Sequence, residues 1–300
     1  MATTANAVHP ITEKLVTSSD GTQIYAEAAG ESGLPTIVLI HGFGLSALVF
    51  AKLLRDKDLL KHFHLIAYDL RGHGRSGMPN EPSAYTSKCC ADDFISVTKA
   101  FNVKTPPILL GWSLGGSVAA DVLEHYGQDA LAGMITAASF PYLDTSPNAL
   151  SEWVSGTLFP GFLNQDNVAL AISTRLAFTR ALFNNPDDVP SEILWSWFGS
   201  SFLRDPAHLL HYIGPGHAQD TTNLWEAAKT GKLPLLVVEG DADKFTMNAY
   251  VRQTVDGKFS DIVFHTVKGG SHSFFYERQE EFVDQVSKFA LRVFGGRKGD

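Results

Sequence analysis

Residues 108–120 read Ile108-Leu109-Leu110-Gly111-Trp112-Ser113-Leu114-Gly115-Gly116-Ser117-Val118-Ala119-Ala120, and this stretch decides the fold. The aliphatic run Ile108 to Leu110 predicts a strand buried on both faces, and the small residues after Leu114 open a helical pattern that runs to His125. Between them Gly111-Trp112-Ser113-Leu114-Gly115 sets a serine on a sharp strand-to-helix turn. A turn of this kind strains the backbone and brings strand and helix so close that only small residues fit two positions before and two after the serine. The pentapeptide alone is a weak signal in a chain with 26 glycines, but a strand before it and a helix after it turn it into a candidate nucleophile elbow.

Working outward, the same grammar recurs. Aliphatic or β-branched runs lie at Thr36 to Ile40, Leu65 to Tyr68, Met134 to Ala137, Leu235 to Val238 and Ile262 to Phe264. Ala91 to Phe101, Asn248 to Thr254 and Glu277 to Val293 carry apolar residues at helical spacing. Ahead of them, Glu13 to Thr17 and Gln23 to Glu27 flank Asp20-Gly21, a hairpin signal. Strand and helix alternating in this way predict a doubly wound α/β sheet. The alternation stops between Phe140 and Lys232, where seven prolines punctuate short helical segments such as Ser191 to Leu203. This stretch is expected to be a helical insertion, and its Trp153, Trp195, Trp197 and Trp225 must pack against the main domain or line a pocket beside it.

A serine hydroxyl is a poor nucleophile at neutral pH unless a base takes its proton and an acid orients that base. Gly269-Gly270-Ser271-His272 follows the last strand on a glycine-rich loop, from which His272 can reach the sheet's carboxyl edge. His62 and His64 flank a strand start and are expected at the surface, and His73 lies in a turn. Two acids compete at the end of the strand Leu235 to Val238, Asp241 and Asp243, and spacing does not choose between them. Backbone amides at Phe43, in the loop His41-Gly42-Phe43-Gly44, and at Leu114 are candidates for holding a developing oxyanion, a role typically worth about 3 to 4 kcal/mol per donor.

Composition bounds the rest. The chain has 300 residues, 44% hydrophobic and 19% charged, which excludes a disordered, collagenous or coiled-coil protein. Its net charge of −8 argues against nucleic acid as a partner, and the only basic cluster is Arg297-Lys298. No window approaches the roughly 18 apolar residues of a membrane span, and Met1 to Leu15 does not pattern as a secretory leader, so a cytoplasmic protein without membrane contact is expected. Vicinal Cys89-Cys90 on a helical pattern cannot staple distant segments and reads as two buried thiols, in keeping with a reducing compartment.

Taken together, the loop at 41–44, Asp69-Leu70-Arg71-Gly72-His73-Gly74-Arg75-Ser76, the elbow 111–115, Gly-x-x-Asp at 240–243 and Gly-Ser-His at 270–272 resemble the α/β-hydrolase superfamily over nearly the whole chain. The resemblance implies an eight-stranded, mostly parallel sheet with helices on both faces. It also implies a core of residues 1–139 and 233–300 with a helical cap at 140–232, and a triad Ser113, Asp243, His272. The family pattern selects Asp243, the last residue of Gly-x-x-Asp, and makes Asp69 to Ser76 mainly a structural turn. Within the superfamily, Gly-Trp-Ser-Leu-Gly-Gly is similar to esterases and cofactor-free haloperoxidases. Serine at 113 sets the chain apart from the dehalogenases and epoxide hydrolases of this fold, which use aspartate. The expected activity is therefore hydrolysis of a small to medium apolar or aromatic ester, lactone or thioester, by a monomer or homodimer with neither metal nor cofactor. The same triad serves carbon–carbon hydrolysis and hydroxynitrile cleavage, which a charged or hydrogen-bonding cap residue facing Ser113 would favour, and the fold also serves as a ligand receptor.

Overall fold

The expected strand runs assemble into one sheet. In a computed structural model describing residues 10–202 and 206–296, it has eight strands: β1 (Thr12–Thr17), β2 (Gln23–Ala29), β3 (Thr36–Ile40), β4 (His64–Tyr68), β5 (Ile108–Trp112), β6 (Gly133–Ala137), β7 (Leu235–Gly240) and β8 (Ile262–Val267). Their order is β1-β2-β4-β3-β5-β6-β7-β8, with β2 antiparallel to both its neighbours and every other pair parallel. Every residue of β3, β4, β5 and β6 is buried, so both faces of the central sheet are covered. The Asp20-Gly21 hairpin forms as expected, with Gly21 at φ +86°.

Eight helices of seven residues or more lie among the described residues: α1 (Ser87–Ala100), α2 (Val118–Tyr126), α3 (Val168–Ala181), α4 (Ser191–Ser200), α5 (Pro206–Tyr212), α6 (Thr222–Thr230), α7 (Asn248–Val255) and α8 (Gln279–Gly296). Helix α1 packs on α2, α2 on α6, and α8 on β7. The helix expected from Leu114 opens instead as a tight 3-10 turn, Ser113–Ser117, and becomes α-helical only at Val118. None of the helices is long and apolar enough to cross a membrane.

Register places the site. Ile40 pairs with Gly111, Gly111 with Thr136, and Trp112 with Ala137, which pairs with Val238. The loops after β3, β5, β6 and β7 therefore leave the sheet along one edge. The loop after β4 is locked to the first of them, because Leu70 N–H donates to His41 Nε2 at 3.0 Å and the Asp69 carboxylate accepts from Ala47 N and Arg75 N, each at 2.7 Å. Below it Arg71 is fully buried, with Nε and Nη2 on the two Asp93 oxygens at 2.7 and 2.6 Å and Nη1 on Asp20 at 2.8 Å. The Asp69 to Ser76 segment is thus a structural knot.

Three expectations need correction or limits. His64 is buried, not a surface group: it starts β4, its ring meets Phe101 edge-on, and burial lowers its pKa and keeps it neutral. Of the two free thiols, Cys90 is buried but Cys89 is only half-buried, because adjacent helix positions point 100° apart. Arg297-Lys298, Leu203 and the start of the chain through His9 lie outside the described residues.

Candidate active site

Ser113 follows β5 at φ +52°, a left-handed conformation that costs a non-glycine residue of order 1–3 kcal/mol and persists only where its surroundings enforce it. The enforcement is steric. A Cβ at Gly115 would lie 2.2 Å from Ile40 O, one at Gly111 would lie 2.3 Å from Gly116 N, and one at Gly116 would meet Ser139 Oγ at 2.1 Å. The Ser139 hydroxyl donates to the Ser113 carbonyl. Gly42 faces the serine directly, its absent Cβ 3.0 Å from Ser113 Cβ.

His272 lies across the same slot. Its Nδ1 sits 2.9 and 3.1 Å from the two Asp243 oxygens, so Nδ1–H donates to the carboxylate and Nε2 is left as the basic nitrogen. The Asp243 side chain is wholly buried and Asp243 Oδ1 also accepts Phe245 N–H at 2.7 Å. The imidazole is wedged between rings: Phe245 stacks on it at 4.5 Å and 22°, and Trp112 lies 5.4 Å away. Trp112 Nε1–H donates to the His272 carbonyl at 2.9 Å, tying the histidine loop to the elbow strand. Ser113 and His272 border one narrow slot without a direct hydrogen bond between their side chains, and such bonds are often long or poorly aligned until substrate binds.

The two competing acids separate by position. Asp241 is exposed and accepts the Gly269 N–H, bracing the loop that carries His272, whereas Asp243 meets the imidazole itself. Phe43 and Leu114, whose amides are the oxyanion candidates, line one cavity of about 200 Å³ with Ser113, Phe140, Leu150, Phe159 and Ile213. A narrower slot of about 20 Å³ lies between Ser113, His272, Trp112 and Gly42, closed by Leu150, Val154, Phe159, Phe178, Leu182 and Phe245. A larger surface hollow of about 510 Å³ near Lys52 and Glu277 shares none of these residues. Ser146 and Ser155 are the only polar side chains that the segment between β6 and β7 brings to either cavity among the described residues, and it brings no charged one.

That segment is stitched to the loop that carries Asp243. Leu150 pairs with Thr246, Ser151 N–H donates to Phe245 O at 2.8 Å, and Met247 N–H donates to Ala149 O at 2.7 Å. Ser139, Phe245 and these stitches escaped sequence reasoning, because no motif marks them and only the register at the strand ends brings them together.

The fold and the elbow define a class: the chain belongs to the α/β hydrolase family, whose sequence profile matches residues 37–285. Among its relatives, pimeloyl-acyl-carrier-protein methyl ester esterase of Photorhabdus laumondii is 36% identical over 282 residues, 89% of this chain and 97% of that one. The esterase RhEst1 of Rhodococcus sp. ECU1013 superposes with a TM-score of 0.80 at 27% identity, covering 94% of this chain and 99% of its own. A probable oxidoreductase of Mycobacterium tuberculosis, EphD, is 33% identical over 131 residues, 44% of this chain, and the chain spans only 22% of its length.

Proposed function

We propose that the protein is a serine esterase in which Ser113, His272 and Asp243 act as nucleophile, general base and orienting acid. The observation that carries the reading is the Asp243–His272 pair, which leaves Nε2 basic beside a serine held in a left-handed turn. Ser113 Oγ attacks the ester carbonyl while His272 Nε2 takes its proton. The Phe43 and Leu114 N–H groups receive the oxyanion, and Asp243 stabilises the imidazolium. His272 then gives the proton to the departing alcohol, and water, activated by the same nitrogen, releases the acid. The esterase names of the relatives support the same chemistry.

The two cavities support a division of the substrate between them. In this reading the leaving alcohol lies against His272 in the slot of about 20 Å³ and is small, and the apolar space of about 200 Å³ on the Leu114 side takes the acyl chain. Among the described residues, 140–232, the helical cap in this reading, brings no charged side chain to either cavity, which supports a substrate that is neutral around its ester bond. At equal acyl length, kcat/KM for methyl hexanoate is expected to exceed that for benzyl hexanoate at least about tenfold, and the reverse order would reassign the cavities.

The activated nucleophile is tested by a fluorophosphonate probe with peptide mapping. Labelling at Ser113 in the wild type that is lost in His272→Ala is expected. Absence of labelling in the folded wild type, or equal labelling without His272, would reject the esterase reading.

A further inference from the structure

Behind the elbow, away from the reacting groups, three buried residues from separate segments converge. Cys90 comes from α1, Asp121 from α2 and His217 from the loop between α5 and α6. One sulfur, one carboxylate oxygen and one imidazole nitrogen lie within 4.8 Å of one another, and the three residues are at most 3% exposed.

Their neighbours orient them. His217 Nδ1 faces the Tyr212 carbonyl at 2.8 Å, which takes the Nδ1 proton and aims Nε2 at Asp121 Oδ1, 2.9 Å away. Gln219 Nε2 donates to that same Oδ1 at 2.7 Å. Asp121 Oδ2, by contrast, is fully buried and accepts no hydrogen bond, and the Tyr212 hydroxyl is buried in contact with Cys90. A carboxylate oxygen left this way in the core is costly unless a donor or a cation completes it.

We propose that Cys90, Asp121 and His217 form a structural site for a divalent transition-metal ion of the zinc type. Sulfur, imidazole nitrogen and carboxylate oxygen together are a borderline-soft donor set that suits Zn²⁺ and not Ca²⁺ or Mg²⁺, which take oxygen. A histidine whose other nitrogen donates to a backbone carbonyl, and a carboxylate held by an amide, are the outer contacts that fix metal ligands elsewhere. Asp121 Oδ2 or the Tyr212 hydroxyl supplies a fourth donor. Tetrahedral bonds of about 2.0–2.1 Å put ligand atoms roughly 3.3 Å apart, so the observed 2.9 Å pair needs to open only slightly. On binding, the Cys90 thiol and any protonated His217 Nε2 each release a proton to solvent. Thiolate and carboxylate then neutralise the ion, leaving no net charge in the core. The ion would pin α1 and α2 to the return loop, which Gln219 also ties to Ser117 O at 3.0 Å and Leu143 N at 2.7 Å.

The test uses the full chain, purified without metal-affinity steps and stripped with chelator. Titration with Co²⁺ is expected to saturate at one equivalent with a thiolate-to-cobalt charge-transfer band in the near ultraviolet. Zn²⁺ at a hundredfold excess over its Kd is expected to raise Tm by about 4 °C. The band is lost in Cys90→Ala and kept in Cys89→Ala. Absence of the band in the wild type at saturating Co²⁺, its survival in Cys90→Ala, or its loss in Cys89→Ala would overturn the site. Should Cys90→Ala not fold, the wild-type and Cys89→Ala titrations decide alone.

Discussion

Ser113→Ala is expected to cut kcat for methyl hexanoate by at least about 10⁴-fold with little change in KM, leaving only the residual rate that binding and the amide pair supply. The acid gives the sharper comparison. Asp243→Asn keeps the shape but no longer holds the imidazole in the required tautomer or stabilises its charged form, and a loss of about 10³- to 10⁴-fold is expected. Asp241→Asn touches only the Gly269 amide, so its effect is expected to stay within about tenfold. Steady-state kinetics with circular dichroism as a folding check measures all three. If Asp241→Asn fell further than Asp243→Asn, the acid would have to be reassigned.

The second large effect is on stability. Arg71→Ala strips the buried Asp93 of a bidentate partner, and removing one side of a buried pair typically costs about 3–5 kcal/mol. For a chain of this length that is a fall in Tm of about 5 to 8 °C. Arg71→Lys keeps the charge but not the two-pronged geometry, and is expected to fall between. Arg71→Ala combined with Asp93→Ala is expected to cost less than the sum of the single changes, because no charge is left stranded. Asp20 adds a pH signature. Partial burial works against its ionisation, but the hydrogen bond and charge of Arg71 outweigh this and bring its carboxyl down to about 2. A folded value below the unfolded one means that this contribution is fully present above about 4 and is lost as pH falls toward 2. Thermal melts between pH 2 and 5 should show that loss in the wild type and lack it in Asp20→Asn. Wild-type stability for Arg71→Ala would mean that Asp93 finds water or a proton instead.

Much of the fold could be read from the residues because a sheet covered on both faces demands continuous aliphatic runs, and Thr36–Ile40, Ile108–Trp112 and Leu235–Gly240 are such runs. The elbow was legible for a steric reason, since glycines at 111 and 115 are the residues that let strand and turn meet. Choosing Asp243 over Asp241 needed the family pattern, because both aspartates lie just beyond the end of β7 and only the loop's path decides which side chain turns inward. His64 misled because a polar residue at a strand start gives no sign of the helix end that covers it. The residues lining the cavities between β6 and β7 were hidden as well, since a proline-broken segment has no long period from which to read its inner face. Cys90, Asp121 and His217 share no spacing at all and meet only through packing.

The stitching of residues 149–151 to 244–247 bears on how such a protein diversifies. A helical excursion joined to the sheet only at its two ends could be exchanged between relatives like a cassette. Here the excursion also grips the backbone at Phe245, whose ring stacks on His272. The two segments therefore pack as one unit, although nearly a hundred residues separate them. A chimera that imports a foreign excursion without its matching 244–247 strip would inherit a new pocket together with a displaced His272 ring.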